Sequence, residues 1–147
     1  ANTPAPAPIS VTGGGELTDH DPAAIAYDRT LAPKGAQASL TAESIGGQTV
    51  TSLVMEGFRH ARPYGAHLHA KPCGKSPDAA GPHFMQGPDH AEIWLDLRTD
   101  GQGAGRSTTR QAFTLDPNHL PKSLVIHAEP TAPGAPPAPR VACITLH

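Results

Sequence analysis

Apolar and polar residues alternate with a period of two through much of the chain. Gln37–Ser44 sets Ala38, Leu40 and Ala42 against Ser39, Thr41 and Glu43, the pattern of a strand with one buried face. Glu92–Arg98 sets Ile93, Leu95 and Leu97 against Glu92, Trp94, Asp96 and Arg98. Ser123–Glu129 sets Leu124, Ile126 and Ala128 against Val125 and His127. Ala24–Asp28, the β-branched run Gln48–Glu56, Tyr64–His69, the polar run Gly105–Leu115 and the closing Arg140–Leu146 complete the set. Gly46-Gly47 makes a hairpin between Gln37–Ser44 and Gln48–Glu56. No stretch sustains helical periodicity. About eight short strands in a single domain predict an all-β Greek-key sandwich or barrel.

Two segments break the pattern. Ala70–Asp89 and Pro130–Pro139 are rich in proline and carry no sustained alternation. Irregular loops of this length in a compact domain are usually functional, and each adjoins a histidine-bearing strand. Residues 1–22 read as a flexible tail, with Pro4, Pro6 and Pro8 favouring extended backbone and Gly13-Gly14-Gly15 adding freedom; a strand near Ile9–Val11 is an option within it. The expected domain is therefore 23–147. The small residues and prolines of Ala1–Pro8 resemble the stub left by a removed export signal, so the chain is expected outside the cytoplasm: secreted, periplasmic or at the cell surface.

Composition narrows the classes. The 147 residues carry a net charge of −2, which gives nucleic acid no basic footprint. No apolar run approaches the roughly 20 residues of a membrane span, so a membrane would be met only through an N-terminal anchor. Whether the chain is a monomer or a homodimer stays open. Two cysteines, Cys73 and Cys143, permit one disulfide.

The chemistry lies in the histidines. In Gly65-Ala66-His67-Leu68-His69 the two imidazoles share one strand face, roughly 7 Å apart at Cα. Such a pair can converge on one metal ion, and imidazole suits copper and zinc. His127 ends an apolar strand, where a buried imidazole needs a partner, and His83 sits in the first long loop. His20, His119 and His147 read as solvated, as does His60 beside Arg59 and Arg62; His90 carries no clear signal.

These residues resemble the copper,zinc superoxide dismutases. Gly65-Ala66-His67-Leu68-His69 is similar to that family's Gly-x-His-x-His, and Ala80-Gly81-Pro82-His83-Phe84 to its Ala-Gly-Pro-His-Phe. Leu124-Val125-Ile126-His127 and Arg140-Val141-Ala142-Cys143 match its Leu-Val-x-His and Arg-Leu-Ala-Cys, all in the family's order across 23–147. The resemblance implies an eight-stranded Greek-key barrel, copper held by His67, His69, His83 and His127, and a Cys73–Cys143 disulfide. It also implies that Arg140 docks the superoxide anion, the substrate, and that superoxide is converted to oxygen and hydrogen peroxide.

The departures are as specific. The family's zinc aspartate lies in His-x-Gly-Asp, and here the run is His90-Ala91-Glu92-Ile93. A closed zinc site needs four protein ligands, so zinc is not expected, and the pattern resembles a copper-only branch. Without zinc, the second nitrogen of His83 is free to hold a proton for the peroxide product. Lys71, Lys75, Arg59 and Arg62 are candidates to steer the anion, against a reading as plain surface charge. The competing functions are a copper-buffering protein with little turnover and an interaction module with incidental histidines.

Overall fold

The structure is a computed structural model and describes residues 7–87 and 89–147. Alternation produces the central hairpin of the first sheet as predicted. Strands β1 (Ile9–Glu16), β3 (Gln37–Ile45), β4 (Gln48–Glu56) and β9 (Gly105–Gln111) form an antiparallel sheet in the order β1-β3-β4-β9. In β3, Ala38, Leu40, Ala42 and Ser44 are buried and the residues between them are exposed. The second sheet has the order β2-β11-β10-β5-β8, from β2 (Ala24–Ala26), β11 (Arg140–Thr145), β10 (Ser123–His127), β5 (Pro63–His69) and β8 (Leu97–Arg98). A two-stranded ribbon pairs β6 (Met85–Gln86) with β7 (Ala91–Glu92). The two large sheets pack over one core that includes Leu40, Leu53, Met55, Leu68, Leu124 and Ile126, giving the expected all-β sandwich.

Two expectations change. Residues 9–16 are a full strand rather than part of a tail running to residue 22: β1 pairs with β3 from Ile9↔Ser44 to Glu16↔Gln37. The first glycine in β1 serves close approach between the sheets. A Cβ at Gly13 would lie 2.2 Å from the Thr145 carbonyl oxygen, where the first sheet meets the end of the second. There Thr12 and His147 exchange backbone hydrogen bonds, each 2.9 Å. Residues 1–6 of the expected tail lie outside the described residues. The strand expected over Glu92–Arg98 is also divided. Its first residue pairs with β6 as part of β7, and its last two pair with β5 as β8, because the chain changes partner along this run.

The second sheet is buried on both faces. Below it lies the main core. Above it, Ile25, Val125, Cys143, Cys73 and Ala80 form a smaller apolar cluster. The cover is the 70–83 loop, which includes a 3-10 turn at Pro77–Ala80 and is joined to β11 by a Cys73–Cys143 disulfide.

Candidate metal centre

Strand parity decides what faces this cover. In β5, Tyr64, Ala66 and Leu68 enter the main core, so His67 and His69 point to the outer face. In β10, Leu124 and Ile126 point inward and His127 points outward. The register places His69 opposite Ser123, His67 opposite Val125, and His127 opposite Gly65. Gly65 has no room for a side chain, since a Cβ there would sit 2.3 Å from the Glu129 carbonyl oxygen as the chain leaves β10 across the sheet. His83 comes from the loop: the extended segment 83–86 bridges to His69 at one end, and Phe84 is sunk in the core.

A β-bulge brings Arg140 to the same face. Ile126 pairs with Ala142, but His127 pairs with Arg140, leaving Val141 as the extra residue. Unbulged pairing would turn Val141 outward and drive Arg140 into the core. Instead Val141 is buried and the Arg140 guanidinium donates to the Pro77 carbonyl at 2.9 Å and the Gly81 carbonyl at 2.8 Å.

One ligand atom from each of His67, His69, His83 and His127 lies within 4.8 Å of the others. Their hydrogen-bond partners place the protons. His69 Nδ1 is 2.9 Å from the Gly81 carbonyl oxygen, and His127 Nδ1 is 3.0 Å from that of Ala138. Carbonyl oxygens only accept, so both Nδ1 atoms are protonated. The two Nε2 atoms then face each other as lone pairs at 3.4 Å. His83 Nδ1 is 2.8 Å from Glu92 Oε1, which likewise leaves Nε2 bare in the neutral ring. The Thr131 hydroxyl donates to Asp96 Oδ1 at 2.8 Å. It must therefore accept from His67 Nε2, its other partner, and His67 Nδ1 is left buried with no partner among the described residues.

The electrostatics keep three of these rings, His67, His69 and His127, neutral. Burial lowers the His67 pKa to about 4, helped by the neighbouring His127 and His83. Burial lowers that of His69 to about 3 against the pull of its Gly81 bond, and burial also lowers that of His127. Burial opposes the charge on Glu92, but hydrogen bonds from Trp94 and His83 outweigh it and leave its carboxyl below the usual value. Four imidazoles whose ligand atoms converge, two of them in lone-pair contact, fit a soft-to-borderline divalent ion. The donor set and the orphaned His67 Nδ1 suit copper.

The neighbouring side chains were not singled out for this site from the sequence. Asp96 accepts from the Ala66 amide at 3.0 Å and the Thr131 amide at 2.7 Å, and so positions the hydroxyl that holds His67. Trp94 donates to Glu92 Oε1 at 2.8 Å. The signal for Glu92, Trp94 and Asp96 was their shared strand face; the strand they meet was not readable. A cavity of about 270 Å³ opens beside His67, His83 and His127, walled by Glu129, Thr131 and the prolines and alanines of the 130–139 loop.

The remaining candidates lie elsewhere. Ile93 is fully buried in the main core. His20, His60, His90, His119 and His147 are exposed and outside the four-histidine group. Arg59 donates to the Thr30 carbonyl at 2.6 Å, and Arg62 lies over the Tyr64 ring and 3.8 Å from Glu129. Lys71 and Lys75 are exposed, and the Lys71 chain runs beside Gly81.

No family model and no curated protein matches the sequence. Among solved structures, the fold is similar to that of a Cu/Zn superoxide dismutase from Brucella abortus. The TM-score is 0.58 at 18% identity, over 93% of this chain and 97% of that one.

Proposed function

We propose that the chain is a copper-dependent superoxide dismutase that works outside the cytoplasm and without zinc. The observation that carries this reading is the proton placement: each histidine of the cluster has one nitrogen held by a hydrogen-bond partner, leaving the other as the donor, in a group whose ligand atoms lie within 4.8 Å of one another. The likeness in fold to a protein named as a Cu/Zn superoxide dismutase supports it.

His67, His69, His83 and His127 would hold the copper. Bound there, copper supplies reversible one-electron chemistry: one superoxide gives up an electron and leaves as oxygen, and a second accepts it with two protons and leaves as hydrogen peroxide. Zinc has no redox role of this kind. Arg140 docks the anion. Its guanidinium is permanently charged and is oriented by the Pro77 and Gly81 carbonyls, with N–H donors to spare. His83 handles the proton. Tethered through Nδ1 to Glu92, it would leave the copper on reduction, take a proton at the freed Nε2 and pass it to the peroxide.

The absence of zinc is supported by two placements. Ile93 stands in the core where the family resemblance calls for an aspartate, and His83 Nδ1 is engaged by Glu92. The Cys73–Cys143 disulfide supports an oxidising compartment.

The test is metal analysis followed by kinetics. One copper and no zinc per chain is expected, with dismutase activity that falls at least tenfold in Arg140→Ala while copper stays bound. A copper-loaded protein without dismutase activity would leave the buffering role instead. Zinc bound stoichiometrically beside copper would end the zinc-free part of the proposal.

A further inference from the structure

We propose that Trp94 is a positioning residue: its indole N–H pins the Glu92 carboxylate, so that one oxygen holds the His83 ring with its proton on Nδ1 and its Nε2 free for the other three imidazoles. The purpose of this device rests on the metal-centre reading above; its test does not.

Parity creates the arrangement. Ile93 is fully buried in the core, so Glu92 and Trp94 on either side of it emerge on the site face. Trp94 is the only tryptophan of the chain, yet it is 40% exposed. An indole buries 150–250 Å² when a core takes it in, and this fold leaves it out. What the indole gains is a bond. Trp94 Nε1 donates to Glu92 Oε1 at 2.8 Å, and His83 Nδ1 meets the same oxygen at 2.8 Å. Two donors therefore share one carboxylate oxygen.

This sharing matters because a glutamate terminus rotates broadly about its last torsion. Held by His83 alone, the carboxylate could present either oxygen, and the ring could turn its other nitrogen towards it. The indole removes that freedom. It is well suited to do so, because a tryptophan has only two side-chain torsions and this one is itself fixed. Its backbone forms a bridge with His67, and its ring stands edge-on to the His67 imidazole with centroids 6.2 Å apart. Trp94 thus links the strand that carries one candidate ligand to the carboxylate that orients another.

The first readout uses metal-free protein. Long-range proton–nitrogen NMR should show a single His83 tautomer, protonated at Nδ1, in the wild type. Trp94→Phe keeps an aromatic ring but removes the donor, and should give a mixture of tautomers. Its thermal midpoint should stay within about 2 °C of the wild type, since the residue is exposed. The second readout is Cu(II) titration followed by electron paramagnetic resonance. Trp94→Phe should bind about tenfold more weakly, the low end for loss of an outer partner of a metal ligand. Glu92→Ala should show a similar loss, and Trp94→Phe should add nothing in that background.

A single Nδ1-protonated tautomer in Trp94→Phe would overturn the proposal. So would additive effects of the two substitutions, or a tautomer change matched by a large fall in the thermal midpoint. If wild-type protein binds no Cu(II), the metal-centre reading fails, and the tautomer comparison still decides the role of Trp94.

Discussion

The two large sheets are built from similar strands but live in different surroundings. In β3 and β4 every second residue is buried and the others meet solvent or its margin. In β5 and β10 almost every residue is buried, whichever way it points. The first sheet is a scaffold with one working face. The second has a working face on each side, because the disulfide-held loop and the proline-rich loop cover its outer surface. That cover excludes water from His67, His69 and His127, keeps them neutral, and leaves bare nitrogens where a cation belongs. A histidine in the same strand parity on the outer face of the first sheet would be solvated and chemically idle.

The sharpest way to break this contrast is to remove the cover's anchor. Replacing Cys73 and Cys143 with serine opens a closure spanning 70 residues and should cost about 4 kcal/mol of stability. It should also loosen the site, since the Gly81 carbonyl that holds His69 and Arg140 rides on the released loop. Denaturant unfolding and copper stoichiometry check the two effects separately. Truncating the scaffold should do only one of them: Leu53→Ala, at a fully buried position of β4, should cost about 3 kcal/mol with one copper still bound per chain.

A graded effect should follow from pH. The folded pKa values of His67 and His69, about 4 and about 3, lie below the ordinary 6.5. As pH falls, the unfolded chain takes up protons first. The metal-free protein should therefore hold its stability above about pH 6.5 and lose it progressively towards pH 3, as unfolding midpoints across that range will show. Removing the imidazole with His69→Ala should flatten part of this dependence. The smallest effect belongs to the outer face of the scaffold, where Thr41→Ala, at an exposed position, should change stability by less than about 0.5 kcal/mol and leave copper binding unchanged. A larger loss of copper there than at Leu53 would show that the two sheets do not divide the labour as described.

Much of this was readable in the chain. Alternation over Gln37–Ser44 and Ser123–Glu129 placed those strands to within two residues, and the spacing of His67 and His69 put them on one face without any knowledge of partners. Gly13-Gly14-Gly15 was misleading: in a run that suggests freedom, Gly13 instead lets two sheets touch, and sequence does not show what approaches a glycine. The run Glu92–Arg98 showed Glu92, Trp94, Asp96 and Arg98 on one face, but not that its first residue would turn to a ribbon and its last two to β5.

The sequence by itself determined the layer each side chain enters along an unbroken strand, because inward and outward alternate there whatever lies beside it. It also determined which residue types could bind a soft ion. Only the tertiary structure decided the rest: the bulge at Val141 that keeps Arg140 out of the core, the Gly81 and Ala138 carbonyls that set the His69 and His127 tautomers, and the shared Glu92 oxygen beneath Trp94. Those outcomes depend on hydrogen-bond partners from other segments of the chain, and a local pattern of polarity carries no record of which distant backbone atom arrives at a given ring nitrogen.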